Sequence, residues 1–460
     1  MIQINDGPHS RWDTTACRTS RIRSQQGRAL SDENSDLPRT ISADRRGARL
    51  AGRIGPGIVT GAADDDPSGI ATYSQAGAQA GFGLLWTVVL TWPLMVAVQS
   101  VSARIGRVTG RGLAANLCRV FPRPLVLVAV ALLFVANTVN IGADLSAMGA
   151  AVNMLLPWDR HGYTLAFGAL SLLAIVFVPY SRYVGYLKWL TFSLLAYGGI
   201  VFTVRLDWAA VAAGSLVPAF DLDSRTLMLV VAVLGTTIAP YLFFWQTSQE
   251  VEDEEADPEA TPLIVSADHA GLEIARINRE TAIGMAVSNI VAFFIMLTTA
   301  ATLHASGVTD IQSTEQAAAA LRPIAGEATF LLFSLGIVGT GLLAVPVLAG
   351  SVAYAFGEVL GWTTGLENRP RDALPFYAVI AAGIGIGLAV DHLALDPIKA
   401  LVWSAVLNGV IVVPFIAAMM VVASRPDIMG AFVASWWQRI LGWLTFAVMG
   451  AAALAMFALM

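Results

Sequence analysis

The segment GAADDDPSGIATY, residues 61 to 73, places three consecutive carboxylates inside an apolar stretch. Asp64, Asp65 and Asp66 are residues of a type that coordinates cations or passes protons, and ionisable groups at membrane depth are costly enough to indicate such a function. Asp66 directly precedes a proline, so we assign it to the site itself. Asp64 and Asp65 are expected at a vestibule or on the opposite face of the helix, with Asp65 assigned to the pathway.

The helix that carries these acids is predicted to be discontinuous. Pro67 has no backbone N–H, and Ser68 and Gly69 favour turns, so a helix entering at Ile54 is expected to break near Asp66 and resume after Gly69. Non-helical backbone at membrane depth is tolerated only where it is buried in protein or lines a cavity. The break therefore predicts an internal pathway.

A second apolar segment is interrupted in the same way. The stretch LGTTIAPYLFFWQTSQ, residues 234 to 249, carries Gly235, two threonines and Pro240 near its middle. The two interrupted segments are the first and the sixth along the chain. Breaks at this spacing are typical of an inverted repeat, with the binding site where the two discontinuous helices cross.

The elements that must position these residues are membrane helices. Of the 460 residues, 56% are hydrophobic and 13% are charged, against roughly 25% charged in soluble domains. Backbone groups in lipid must be satisfied internally, so apolar runs of this length predict an all-α polytopic membrane protein with eleven spans. The apolar segments are 54 to 80, 81 to 103, 124 to 143, 162 to 181, 189 to 204, 226 to 249, 281 to 303, 328 to 357, 373 to 390, 400 to 424 and 440 to 460.

The flanking segments predict how the chain is organised and oriented. Residues 1 to 53 are polar and rich in arginine, and they indicate a disordered cytoplasmic tail before a transmembrane domain at 54 to 460. The arginines after the second span place the N-terminus in the cytoplasm and, with eleven spans, the C-terminus outside the cell membrane. The acidic run EVEDEEADPEA, residues 250 to 260, is interpreted as a solvated loop, or alternatively as a mouth that attracts cations.

Two of these stretches resemble one known family. GPGIVTGAADDDPSG, residues 55 to 69, is similar to the opening helix of the Nramp divalent-metal transporters, and TTIAPYLFFWQTS, residues 236 to 248, is similar to their sixth helix. The resemblance covers roughly residues 50 to 460. It implies a LeuT-like fold of two inverted five-helix repeats plus an eleventh transmembrane helix, with helices 1 and 6 discontinuous and alternating access to a metal site at mid-membrane.

The resemblance also implies a metal site. Asp66 matches the family's metal-binding aspartate, and Gly69 stands where an asparagine ligand is expected. Thr236 matches the position that gives a backbone carbonyl to the ion, and Ala239 stands where the family has a metal-binding methionine. Pro67, Ser68 and Pro240 mark the helix breaks.

Other matched positions concern the pathway. Tyr241 and Gln246 replace two family histidines, and Asp144 matches an aspartate on the family's proton route. We also place Asn408 beside the site, whereas Asn140 is interpreted as a contact between helices, the commoner role of asparagine in a membrane helix.

These departures favour a hard, hydrated ion. A thioether favours softer transition metals, whereas oxygen ligands suit magnesium, which gives up its waters reluctantly. The pattern resembles the Nramp-related magnesium transporters, which are thought not to couple transport to protons, and the loss of both histidines removes the side chain that titrates near neutral pH. We therefore predict uptake of hydrated Mg²⁺, and also Mn²⁺, without proton coupling.

Two alternatives remain open at this point: a proton-coupled Mn²⁺ or Fe²⁺ symporter, and a carrier of an amino acid or amine with the same fold. An enzyme is not expected, because the sequence has neither a His-Glu-x-x-His zinc signature nor a recognisable nucleophile with a paired base. The expected partners are the divalent cation and the lipid bilayer. No cofactor, nucleic acid or obligate protein partner is predicted.

Overall fold

The computed structural model describes residues 55–156, 158–178, 192–218, 223–391 and 396–459. Within these ranges the chain forms helices joined by turns and loops. The predicted N-terminal tail, residues 1 to 53, lies outside the described residues.

The helices that build the bundle are labelled α1 to α12 in chain order. They are α1 Pro56–Asp64, α2 Pro67–Ala80, α3 Leu85–Thr109, α4 Arg123–Asn153, α5 Arg160–Phe177, α6 Ser224–Thr237, α7 Pro240–Ala256, α8 Ala270–Thr302, α9 Thr329–Leu360, α10 Leu374–Val390, α11 Pro397–Ala423 and α12 Trp436–Leu459. Shorter α-helices are Leu113–Leu117, Ile200–Thr203, Trp208–Leu216, Thr314–Ala319, Arg322–Ala325 and Pro426–Met429. Short 3₁₀ helices are Gly81–Leu84, Phe192–Gly199, His304–Ser306, Gly326–Ala328 and Gly430–Phe432.

The described helices account for the predicted membrane spans. Eight helical stretches in this part of the chain are long and apolar enough to cross a membrane, and two of them, Pro67–Thr109 and Ser224–Ala256, each join two labelled helices. Two shorter apolar helices, Ser193–Thr203 and Leu374–Val390, lie at the fifth and ninth predicted segments. With α1, each of the eleven apolar segments contains a helix, and the prediction of an all-α polytopic membrane protein is confirmed.

The first break separates α1 from α2 within the acidic triplet. Asp65 leaves the helical conformation at φ −83° and ψ 56°, and Asp66 is extended at φ −72° and ψ 171°. The helix resumes at Pro67 and not after Gly69 as expected from the sequence. Proline suits the first helical position because the missing N–H has no intrahelical partner there, so Ser68 and Gly69 belong to α2 and not to the break.

The second break separates α6 from α7. Ile238 and Ala239 leave the helical conformation, and Pro240 is the first residue of α7. Both breaks therefore have the same form, in which a proline begins the second half-helix.

The acidic run after the sixth segment is not a solvated loop along its whole length, and this part of the prediction is wrong. Helix α7 continues to Ala256, and Glu250 and Glu254 are buried. Arg276 on α8 lies 2.6 Å from a Glu250 oxygen, and Arg107 on α3 lies 3.5 Å from a Glu254 oxygen. These arginines supply the positive charge that buried carboxylates require, which the sequence pattern alone does not place.

Glycines allow α1 to lie directly against α8. A Cβ atom on Gly61 would lie 2.3 Å from the backbone carbonyl carbon of Gly284, and one on Gly284 would lie 2.3 Å from the carbonyl oxygen of Gly57. No side chain fits into either space, so the two backbones touch. We call this region, together with the end of α7, the packed end of the bundle.

We expect Gly284→Leu to destabilise the protein by roughly 1–3 kcal/mol, because overfilling a tight contact forces the helices apart. The measurement is the midpoint of thermal unfolding of the purified protein. Gly271→Leu is the matched control, since a Cβ on this glycine at the start of the same helix meets nothing within 4 Å. Equal midpoints for the two variants would contradict the prediction.

Candidate metal site between the two helix breaks

The Asp66 carboxylate lies at the start of α2 and is 1% exposed. Its Oδ1 accepts hydrogen bonds from the Gly69 backbone N–H at 2.7 Å and from the Ser68 hydroxyl at 2.6 Å. Its Oδ2 accepts a hydrogen bond from the Asn140 side-chain amide on α4 at 2.9 Å. An aspartate at this position caps the helix and benefits from the positive end of its dipole. Three of the roughly four lone-pair positions of the carboxylate are therefore already used.

The second break lies against the first turn of α2. The Thr236 hydroxyl is 3.4 Å from the Ser68 hydroxyl, and a Cβ on Gly69 would lie 3.3 Å from the same Thr236 oxygen. The Tyr73 hydroxyl is 3.0 Å from that of Thr237. The structure thus brings together three of the residues assigned to the candidate site, Asp66, Gly69 and Thr236.

Two further predicted residues border this region, Ala239 at the second break and Tyr241 in the first turn of α7. Ala239 is fully buried at the end of the second break, and its side chain is a methyl group that offers no ligand atom. Tyr241 is also buried, and its phenol is close enough to Asp66, Asp64 and Asp144 to interact with them electrostatically. These two residues therefore contribute a methyl group and an aromatic ring, and neither carries sulfur or imidazole.

Asp144 gives the region a carboxyl group from α4, one helical turn after Asn140. Both of its oxygens are buried with no hydrogen-bond partner among the described residues. The Ser68 backbone lies close to this carboxyl group, and Asp66 is near enough to interact with it electrostatically. The structure therefore places Asp144 beside the start of α2, facing the same region as Asp66.

Asp64 and Asp65 face the other way, toward α8. The Ser288 hydroxyl is 2.5 Å from an Asp64 oxygen and 3.0 Å from an Asp65 oxygen. Asp64 and Asp65 thus contact α8, whereas Asp66 contacts α4, because the break turns successive side chains in different directions. Of the two positions considered for this pair, a vestibule or the opposite face, the structure shows the opposite face.

The remaining predicted pathway residues lie outside this cluster of contacts. The Gln246 amide donates a hydrogen bond to the Thr281 hydroxyl on α8 at 3.0 Å, which places it at the packed end. Asn408 is buried on α11, and its Oδ1 has no partner in the described part of the chain. Its neighbour Gly409 lies against the backbone of Val231 on α6. Asn408 therefore belongs to the contact between α11 and the first half of the broken sixth helix.

Three residues that hold the acids of the first break in place were not predicted from the sequence. Asn140, interpreted as a contact between helices, bonds Asp66 directly, and Ser404 on α11 donates to Asn140 at 2.6 Å. Ser288 holds the other two acids. The spacing of Asn140 and Asp144, four residues apart on one helix face, is the signal that could have found the first of these.

A water-accessible cavity of about 560 Å³ lies at the end of the bundle where α2 ends and α6 and α11 begin. We call it the vestibule; its charged lining residues are Asp223, Arg225, Asp310 and Lys399. Hydrogen bonds from the Thr226 hydroxyl and backbone N–H lower the pKa of Asp223, which keeps this carboxylate ionised. An ion with about six waters occupies roughly 200 Å³ at about 30 Å³ per water, so a hydrated ion fits inside.

The bundle is therefore open at one end and packed at the other, with buried carboxylates where two broken helices meet. Broken helices of this kind place a substrate site at mid-membrane, and alternating access moves one part of the bundle against the other. This arrangement of helices is that of a multi-pass membrane transporter.

The comparisons give the family. Residues 57–459 match the Nramp family, described as natural resistance-associated macrophage protein-like. The chain belongs to this family. A divalent metal cation transporter, MntH, of Yersinia pestis (strain Pestoides F) is 29% identical over 418 residues, which are 88% of this chain and 94% of that protein. MntH of Klebsiella pneumoniae (strain 342) is 27% identical, over 90% of this chain and 95% of that protein.

Solved structures support the fold. A manganese transporter of Eremococcus coleocola superposes with a TM-score of 0.70 at 17% identity, covering 92% of this chain and 90% of that one. A Na⁺-coupled sialic acid symporter superposes with a TM-score of 0.56 at 14% identity, covering 90% and 93%. The predicted LeuT-like fold is confirmed.

Proposed function

We propose that this protein carries divalent cations across the membrane by alternating access, and that its substrate is hydrated Mg²⁺, with Mn²⁺ as a second substrate. The observation that carries the proposal is the saturation of Asp66, whose oxygens already accept three hydrogen bonds. A cation that approaches this carboxylate meets roughly one free lone-pair position. Most of its ligands must then come from water.

The surroundings supply few other ligands. In the described ranges no group of three or more Asp, Glu, His or Cys side chains could hold a metal ion. Mg²⁺ takes about six oxygen ligands and usually keeps several waters. Asp66 and Asp144 are the acids that face this region, and the small residue at Gly69 leaves room for an ion that retains its hydration shell.

The type of ligand at this site also favours Mg²⁺ over softer transition metals. Ala239 offers a methyl group where a thioether would favour softer transition metals. The manganese transporter of Eremococcus coleocola and the MntH proteins are related in fold or sequence, and Mn²⁺ also accepts oxygen ligands. We therefore place Mn²⁺ second and not outside the substrate range.

We propose that uptake is not coupled to protons. Gln246 cannot titrate, and the phenol of Tyr241 ordinarily titrates near pH 10. The membrane potential alone suffices as a driving force, because two charges gain about 4.6 kcal/mol on crossing 100 mV inward, at roughly 2.3 kcal/mol per charge. The second candidate function is a proton-coupled Mn²⁺ or Fe²⁺ symporter, favoured by the unpartnered Asp144 carboxyl beside Asp66.

We propose a cell (inner) membrane location with the N-terminal tail in the cytoplasm and the C-terminus outside. Arg104, Arg107 and Arg119, near the packed end, support this orientation under the positive-inside rule. The vestibule then opens to the outside. Protease digestion of a tag at each terminus in intact cells tests the orientation, and cleavage at the N-terminus alone would contradict it.

Transport in proteoliposomes tests the proposed function. We expect Mg²⁺ uptake to rise when a potassium gradient and valinomycin make the lumen negative, and Mn²⁺ to compete with it. A pH dye in the lumen should report no acidification, because no proton moves with the metal. Protein-free liposomes under the same gradient are the control. Acidification in proportion to metal uptake would establish the proton-coupled symporter instead.

A further inference from the structure

Asp66 is held by a chain of side chains that crosses three elements. Asn140 on α4 donates from Nδ2 to Asp66 Oδ2 at 2.9 Å and accepts at Oδ1 from the Ser404 hydroxyl on α11 at 2.6 Å. All three residues are 1% exposed or less. Both hydrogen bonds are therefore shielded from bulk water. In such surroundings a hydrogen bond is stronger, and a wrongly oriented donor or acceptor is costly.

The direction of the amide follows from the chemistry of its neighbours. An ionised carboxylate only accepts hydrogen bonds, so the NH₂ group of Asn140 must face Asp66 and its oxygen must face Ser404. The opposite orientation would place two oxygens against each other. The Ser404 hydroxyl also lies 2.7 Å from the Leu401 carbonyl oxygen. The Leu401 carbonyl oxygen and the Asn140 side-chain oxygen share the single hydroxyl hydrogen. The bond to Asn140 favours the amide orientation in which the NH₂ group donates to Asp66.

We propose that Asn140, oriented by Ser404, is a positioning residue that determines ion specificity. Gly69 and Ser68 use the lone pairs of Asp66 Oδ1, and the amide takes one of the two on Oδ2, so a single position on the carboxylate remains for direct contact with a cation. An ion then binds mainly through its own waters. This inference rests on the proposed function and specifies which residue enforces hydration at the site.

The consequence for selectivity follows from the two ions. Mg²⁺ dehydrates reluctantly and binds well through water, whereas direct contact with more protein ligands raises the affinity for transition metals such as Mn²⁺. Removing the amide leaves both lone pairs of Oδ2 open to direct coordination. The preference should then move from Mg²⁺ toward Mn²⁺.

A purely structural role for Asn140 predicts something different, and the chain offers a matched control. Asn137 lies one turn earlier on α4, and its Nδ2 donates to the Leu348 carbonyl at 2.8 Å and the Ser351 hydroxyl at 3.0 Å, both on α9. Asn137 is equally buried but joins two helices away from Asp66. Loss of either asparagine should cost stability, and only loss of Asn140 should change selectivity.

The test compares Asn140→Leu, Ser404→Ala and Asn137→Leu in proteoliposomes, with the KM of Mg²⁺ and of Mn²⁺ measured for each. We expect the ratio of the Mg²⁺ KM to the Mn²⁺ KM to rise roughly tenfold in Asn140→Leu, the size of effect common for residues that orient a metal ligand. Ser404→Ala should shift it in the same direction by less. Asn137→Leu should leave it unchanged.

A second probe is hexaamminecobalt(III), a complex that resembles a hydrated ion and does not exchange its ligands. We expect it to inhibit the unaltered protein and to inhibit Asn140→Leu less strongly. Equal KM ratios in Asn140→Leu and Asn137→Leu would overturn the inference. If Asn140→Leu does not elute as a single species on gel filtration, Ser404→Ala decides, and an unchanged ratio in that variant overturns it.

The outcomes separate this inference from the proposed function. Mg²⁺ uptake by the unaltered protein decides the proposed function. If that protein carries Mn²⁺ alone, the proposed function fails, while a lower Mn²⁺ KM in Asn140→Leu and not in Asn137→Leu still supports the role of Asn140. If Mg²⁺ is carried and the ratio does not move, the inference alone fails.

Discussion

Replacing Asp66 with asparagine is expected to lower Mg²⁺ and Mn²⁺ uptake by roughly 100-fold or more. Removing one member of a buried charged pair costs about 3–5 kcal/mol, and each 1.4 kcal/mol corresponds to a factor of ten. Asparagine keeps the size of the side chain and still caps a helix well. Its oxygen can accept the hydrogen bonds of Ser68 and Gly69, whereas its NH₂ group replaces the oxygen that accepts from Asn140, so the variant removes the charge and this one hydrogen bond.

A matched substitution is available elsewhere in the chain. Asp159 caps α5, and its Oδ2 accepts from the Gly162 backbone N–H at 2.9 Å, with the same three-residue spacing as Asp66 and Gly69. It lies at an exposed helix start, so Asp159→Asn should leave uptake within about twofold, as surface substitutions usually change little. Initial uptake rates at equal protein density provide the measurement. Similar rates for both variants would show that Asp66 is not the ion-binding acid.

Replacing Arg276 with methionine is expected to loosen the packed end of the bundle. The guanidinium lies 2.6 Å from Glu250, 3.2 Å from Glu273 and 3.0 Å from Glu280, and its side chain is 10% exposed. Without it, these acids lose their shared positive partner, although Arg107 still lies 3.4 Å from Glu273. Leaving buried charge uncompensated costs about 3–5 kcal/mol, which favours states in which α1 moves away from α8.

Hydrogen–deuterium exchange of peptides covering α1 and α2 measures this effect. We expect faster exchange in α1 and unchanged exchange in α2, because Arg276 and its partners Glu250 and Glu280 lie at the end of the bundle that α1 closes. Arg425→Met is the control, since its 3.7 Å ion pair with Asp427 joins side chains that are 46% and 69% exposed and such pairs contribute only about 0–1 kcal/mol. Unchanged exchange in α1 of the Arg276 variant would refute a role in closing this end.

The sequence by itself determined the class of protein and predicted where the candidate site lies. Acids and a proline inside an apolar segment predict a broken helix, because the membrane tolerates charge and non-helical backbone only around an internal pathway. The second break, five segments later, predicts the crossing point. Asp66 was assigned to the site from the break itself, whereas Gly69 and Thr236 were assigned through the family resemblance, and the structure shows the three adjoining.

Tertiary structure alone decided which neighbours the polar groups meet. Asn140 is 74 residues from Asp66 and 264 from Ser404 along the chain, and helical periodicity gives the face of a residue without naming the helix packed against it. For the same reason the sequence could not show that the Ser288 hydroxyl contacts Asp64 and Asp65, or that Arg276 forms an ion pair with a buried glutamate of the acidic run. Long-range packing selects the partner of each buried charge, because such a charge is stable only when a complementary group lies beside it.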